Sequence, residues 1–149
     1  MVFRSHMTRA LELAAEAAQA GEVPVGAVIV NADGHVIAEA RNTMRAHHDP
    51  TAHAEIAAIR QACASLKNER LTGCDLYVTL EPCPMCAAAI SAARIARVYY
   101  AASDPKSGGV AQGPRIFDHP QCHHKPEVYD GIHATEAEAQ LRAFFLERR

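Results

Sequence analysis

Apolar and polar positions recur with two different periods along this chain, and the switches between them mark out its elements. Thr8 to Ala20 carries Ala and Leu at helical spacing with Glu between them, and Gly21 just beyond supplies a stop, so the first element is a helix. Val25 to Val30 is a β-branched run, Asn31-Ala-Asp-Gly34 is a turn signal, and His35 to Ala40 resumes an extended pattern, which predicts a β-hairpin. Asp49-Pro50-Thr51 opens the next helix, over Ala52 to Ser65, with Thr51 as the expected N-cap and Ile56, Ile59 and Cys63 on its apolar face. Cys74 to Leu80 reads as a buried strand, Met85 to Arg94 as a third helix and Ile95 to Ala101 as a further strand. From Ala102 to Pro126 glycines and prolines interrupt every period, which predicts a long functional loop. Glu127 to Ile132 is the last expected strand, and Thr135 to Arg148 an amphipathic helix with acids at its start and arginines at its end, as the helix dipole favours. Phe144 and Phe145 are adjacent and cannot both face one core, so one of them is expected at the surface.

Strands that alternate with helices after an initial hairpin predict an α/β sandwich around a mixed sheet. The 149 residues fit a single domain over 1–149 with a substantial core. Apolar stretches such as Val23 to Val30 are far too short to cross a bilayer, and no signal-peptide core precedes them, so the expected location is cytoplasmic and no membrane partner is expected. Met1 to His6 precede a second methionine, Met7, and read as an extension without a function of its own. A net charge of -2 gives no global positive field, so any nucleic-acid contact must be local. Such clusters exist at Arg41, Arg45, His47 and His48, at His123, His124 and Lys125, and at Arg142, Arg148 and Arg149. Five cysteines, two of them in a C-x-x-C, point to metal binding in a reducing compartment with no disulfide partner.

The chemistry concentrates in His53-Ala-Glu55 and Pro82-Cys83-Pro84-Met85-Cys86. One His and two Cys supply three ligands for zinc and leave the fourth position open to water, as catalytic sites do and structural sites do not. Residues two apart point in roughly opposite directions from a helix, so His53 and Glu55 can meet one ion only at a helix start. The i, i+3 spacing of Cys83 and Cys86 brings both sulfurs to one side of another helix start, where the dipole favours thiolates. A water held by zinc titrates near neutrality, and Glu55 is the candidate to move its protons. H-x-E with P-C-x-x-C is the signature of the zinc-dependent nucleobase deaminases. The competing arrangement is a structural zinc closed by Cys74 or Cys122, which would leave Glu55 idle. Cys63 and Cys74 read as core packing, and Cys122-His123-His124 imitates a second metal group although adjacent residues rarely converge on one ion.

On these and further segments the chain resembles the bacterial tRNA adenosine deaminases of the cytidine deaminase superfamily, from about Thr8 to Arg149. The segments are Pro24-Val-Gly-Ala-Val28, Asp49-Pro-Thr-Ala-His-Ala-Glu55, Leu76-Tyr-Val-Thr-Leu-Glu-Pro-Cys83, Asp104-Pro-Lys106 and Phe144-Phe145. The resemblance implies a three-layer α/β/α sandwich with a five-stranded mixed sheet, one Zn2+ per subunit, a homodimer, and conversion of adenosine to inosine at the wobble position of a tRNA anticodon stem-loop. It also implies that Asn42 holds the flipped base or its ribose and that Val25, Ala54 and Pro82 line the base pocket. Asp104 and Lys106 would meet the neighbouring ribose and phosphate, and Phe145, with Phe144, would shape the anticodon-loop groove. The chain departs from the family at Arg41-Asn42-Thr43, which lacks a Trp before the Asn, at Gln112-Gly-Pro-Arg-Ile-Phe117 and at His123-His-Lys125. A deaminase of a free base or nucleoside such as cytosine, guanine or adenosine would use the same zinc and glutamate. A zinc-stabilised RNA-binding module without catalysis is the third reading.

Overall fold

The computed structural model describes residues 5–148; Met1 to Arg4 of the N-terminal extension and Arg149 lie outside them. Helix α1 (Met7–Gln19) leads into a hairpin of β1 (Gly26–Val30) and β2 (Val36–Arg41). A short helix α2 (Met44–His47), helix α3 (Ala54–Leu66), strand β3 (Asp75–Leu80), helix α4 (Pro84–Ala92) and strand β4 (Arg97–Ala102) follow. One 3-10 turn (Ile116–Asp118) precedes β5 (Glu127–Tyr129) and α5 (Ala134–Glu147). The five strands lie in the order β2-β1-β3-β4-β5, antiparallel on the hairpin side and parallel from β3 to β5. The β3-α4-β4 crossover makes one parallel pair and the long connection from β4 to β5 makes the other, so the sheet is mixed.

Period-two alternation divides each central strand between two cores. Ala27 and Ile29 of β1, Leu76 and Val78 of β3, and Val98 and Tyr100 of β4 face α3 and α4, while Val28, Tyr77 and Tyr99 face α1 and α5. This is the expected three-layer sandwich. Burying each large aliphatic side chain contributes about 1.5–3 kcal/mol. Gly26 lets α1 lie directly on β1, because a Cβ there would overlap the Ala10 carbonyl. On the same face Tyr77, Tyr99 and Tyr129 share one register across three parallel strands and stack at centroid distances of 4.5 and 5.1 Å.

Several boundaries differ from the sequence expectation. Helix α3 begins at Ala54 with His53 as its N-cap residue, not at Ala52 with Thr51. The Thr51 hydroxyl is spent on Asp49 Oδ1 at 2.7 Å, and Asn42 Oδ1 takes the Ala54 N–H at 2.8 Å in its place. The deepest face of α3 is Ala54, Ala58 and Ala62, and Ile56, Ile59 and Cys63 are only half-buried beside it. Small side chains let α3 approach the sheet closely. The last strand stops at Tyr129, since Gly131 turns the chain at φ +83°. Phe144 is buried and Phe145 exposed, as adjacency requires, and the Arg148 guanidinium covers the Phe144 ring at 3.7 Å. Among the described residues no helix is long and apolar enough to cross a membrane.

Candidate metal centre and catalytic cleft

Antiparallel pairing of β1 with β3 sets the start of β1 beside the end of β3, where the chain turns into the Cys83 segment. Ligands in α/β folds gather at such carboxyl ends of strands. His53 and Cys83 are the N-cap residues of α3 and α4, both in extended conformation (φ -74°, ψ 153° and φ -70°, ψ 171°), and Pro84 occupies the first turn of α4. Two helix starts therefore converge on one point. His53 Nδ1 lies 3.4 Å from Cys86 Sγ and 3.7 Å from Cys83 Sγ. Zinc bonds of about 2.3 Å to sulfur and 2.1 Å to nitrogen, at a tetrahedral angle, separate the two atoms by roughly 3.5 Å. The three donors fit a tetrahedral zinc through Nδ1 of the imidazole.

Among the described residues this is the one group of three metal-ligating side chains drawn together. Cys74 precedes β3 while Cys83 follows it, and a six-residue strand spans about 20 Å. Cys122 is held by Ser91 Oγ at 3.3 Å and donates to the His124 carbonyl at 3.1 Å. Among the described residues neither cysteine joins the group formed by His53, Cys83 and Cys86, so the structural-zinc arrangement lacks the fourth ligand expected for it.

Glu55 is 4% exposed and faces this triad, and burial pushes its pKa up to about 7. The Cys86 thiol and then the His53 ring bond the Cys83 sulfur and, against partial burial, pull its pKa down to about 4. Donation to Cys83, burial and the nearby Glu55 hold Cys86 up, and bonding to Cys83 raises His53. Cys83 is thus already a thiolate near neutrality, and a cation would displace the proton that Cys86 shares with it.

A cleft of about 140 Å³ opens over His53, Glu55 and Cys83, with Val25, Asn42 and Asp104 in its walls. It adjoins a groove of about 540 Å³ that includes Asp104, Lys106, Leu141 and Phe145. Val23, Leu80, Asp104 and Ser107 belong to both. Of the residues expected to contact substrate, Val25, Asn42 and Asp104 thus meet at the cleft and Lys106 and Phe145 at the groove. Ala54 and Pro82 are buried behind it, next to the ligands. Asn42 is 4% exposed, and its side chain bridges the Ala54 N–H and, at 3.1 Å, the Val23 carbonyl.

Val23, Leu80 and Ser107 escaped the sequence expectation, as did Met44, Glu22 and Glu81. Met44, at the start of α2, lines the cleft. Glu22, 1% exposed, accepts the backbone N–H groups of Arg45 and Ala46 at 3.0 and 2.9 Å and so holds α2 in place. Glu81, 2% exposed, accepts from a hydroxyl and four backbone amides. Met44, Glu22 and Glu81 each look like an ordinary surface residue in the sequence, because their partners are remote.

An α/β/α sandwich that sets one imidazole, two thiols and a buried carboxylate at two helix starts defines a zinc-dependent hydrolytic deaminase. The model of the cytidine and deoxycytidylate deaminase zinc-binding region matches residues 3–102, and the chain belongs to that family. It is 57% identical over 150 residues to the tRNA-specific adenosine deaminase of Agrobacterium fabrum (strain C58), covering 100% of this chain and 98% of that protein. A solved structure from work on A-to-I editing by tRNA:A34 deaminases at the wobble position of transfer RNA superimposes with a TM-score of 0.90. The two chains are 56% identical, and the match covers 93% of this chain and 100% of the other. The guanine deaminase from Bacillus subtilis is also similar, with a TM-score of 0.68 and 38% identity over 98% of this chain and 95% of the other.

Proposed function

We propose that this chain hydrolyses adenosine to inosine at the wobble position of a tRNA anticodon stem-loop, in the cytoplasm, as a homodimer with one zinc per subunit. The observation that carries the RNA substrate is the continuity of the cleft over Glu55 with the larger groove at Lys106 and Phe145. A free base has no use for such a groove, whereas flanking nucleotides need a cationic and an aromatic contact.

His53, Cys83 and Cys86 would hold a zinc ion, which when bound would supply an acidified water for the attack. Glu55 takes one proton from the attacking water and gives it to the ring nitrogen, then takes the second from the hydroxyl now on the ring carbon and gives it to the amine, so that the C–N bond breaks, the carbonyl forms and ammonia departs. Positioned proton transfer of this kind contributes about 10²- to 10⁴-fold in rate. Asn42 still has one N–H and one lone pair uncommitted, which it offers to the nucleoside. Val25 flanks the base, and Ala54 and Pro82 back the pocket from behind the ligands. Asp104 and Lys106 take the neighbouring ribose and phosphate, and Phe145 stacks on a flanking base. The dimer uses the solvent face of α4, where Met85, Ala88 and Ala92 are exposed beside Ile56 and Ile59 of α3.

The guanine deaminase relative supports a second reading, a free base as substrate. Steady-state kinetics on an anticodon stem-loop with a wobble adenosine, against free adenosine, cytosine and guanine, separates the two. The proposal expects inosine in the stem-loop and no ammonia from the small molecules; the reverse pattern sinks it.

A further inference from the structure

We propose that Glu81 is a positioning residue that fastens the substrate-facing loop, residues 103–112, to the turn carrying Cys83. This inference rests on the RNA reading above only for its kinetic part. The Glu81 carboxylate is sealed inside the loop. Its Oε1 accepts from Ser103 Oγ at 3.2 Å and from the Asp104 N–H at 3.0 Å. Its Oε2 accepts from the N–H groups of Val110, Ala111 and Gln112 at 3.1, 2.9 and 3.0 Å. Gln112 Nε2 closes the ring by donating to Ser103 Oγ at 3.2 Å. Both ends of the loop are therefore gathered on one side chain.

The loop also lies hard against the metal turn. The Gly109 N–H donates to the Pro82 carbonyl at 2.8 Å, and a Cβ on Gly109 would come within 2.5 Å of the Pro84 nitrogen. A Cβ on Gly108 would come within 2.6 Å of the Glu81 carboxylate and the Asp104 carbonyl. Only glycine permits this approach at both positions. Asp104 and Ser107, which this wrapping places, stand in the walls of both the cleft and the groove. Glu81 borders the cleft, but both oxygens of its carboxylate are taken up by the loop, so it acts by setting where the loop meets the nucleotides around the target base. A glutamine has the same shape but one acceptor atom, so its amide nitrogen must face N–H donors on one side or the other. Ordering is lost while the three metal ligands stay in place.

The test compares wild-type protein, Glu81→Gln and the milder Ser103→Ala. Zinc content by atomic absorption should stay at one per chain in all three. Amide exchange at 110–112 should be slow in wild type, accelerated at least tenfold in Glu81→Gln, and less in Ser103→Ala. Trypsin should cut after Lys106 rapidly in Glu81→Gln alone. On the stem-loop, KM should rise at least tenfold in Glu81→Gln with kcat within about threefold, as expected when ground-state and transition-state binding are lost together. Unchanged exchange and proteolysis overturn the proposal, as does loss of zinc together with activity, or a fall confined to kcat. Should wild-type protein make no inosine, the RNA reading fails while exchange and proteolysis still decide the loop's dependence on Glu81.

Discussion

Replacing Asn42 with alanine tests how the sequence builds the start of the metal-bearing helix. Asn42 Oδ1 is the acceptor for the first N–H of α3, at 2.8 Å, and its Nδ2 donates to the Val23 carbonyl at 3.1 Å. Alanine strands both groups where the side chain was 4% exposed. A buried polar group left without its partner costs about 1–3 kcal/mol, and loss of a helix cap alone costs about 1 kcal/mol. Two stranded groups beside a cleft that admits some water bring the total to roughly 2–4 kcal/mol. A chain of this size loses about 2–4 °C of Tm per kcal/mol, so the expected fall is roughly 5–15 °C. Calorimetry on zinc-loaded and zinc-stripped protein measures it, with the second sample removing the stabilisation that metal adds. Asn42→Asp keeps the acceptor, favours the helix dipole and loses only the Val23 contact, so it should recover about half of the stability. Its added charge beside the thiolates should still depress turnover. An alanine variant that melts within 1 °C of wild type, or an aspartate variant no more stable than alanine, would refute the cap.

Two further outcomes follow from the electrostatics. In zinc-stripped protein Cys83 has a pKa of about 4 while burial pushes Cys63 and Cys74 up, so iodoacetamide at pH 6 should label Cys83 first, and zinc should block it. Its labelling should slow only as pH drops toward 4; peptide mass spectrometry showing Cys63 or Cys74 labelled as fast contradicts this. Burial opposes ionisation of Glu81, but its backbone donors outweigh it and hold the pKa below the usual 4.5. The stability it supplies is complete above the unfolded-state value and is lost as pH falls through the folded one. The urea midpoint of wild type should therefore drop more steeply between pH 5 and pH 3 than that of Glu81→Gln, and parallel curves would exclude the linkage.

The metal site was legible because its constraint is local. His53 to Glu55 and Cys83 to Cys86 are each a few residues long, and their spacing alone demands helix starts. The strands were legible for a similar reason, since Ile29, Val78 and Val98 alternate with their neighbours. What stayed hidden depends on segments far apart in the chain. Asn42 caps a helix that begins at Ala54, and Glu22 and Glu81 bind backbone groups 20 or more positions away. No periodicity announces such a carboxylate. Thr51 misled because a hydroxyl before a helix usually caps it, and here Asp49 takes it first. Helix α2 went unseen because four residues hold too little pattern, and Glu22 stabilises it from outside. The loop after β4 looked structureless because its order is borrowed from Glu81.

The central claim is that this zinc site edits a wobble adenosine through Glu55. Zinc-loaded wild-type protein and Glu55→Ala, matched for one zinc per chain, are incubated with an anticodon stem-loop carrying that adenosine, and inosine is measured by nucleoside mass spectrometry. Wild type should form inosine at that one position, and the variant, which still binds zinc and RNA, should lose at least 10²-fold in rate. No inosine from the zinc-loaded wild type, or equal amounts from the two proteins, contradicts it.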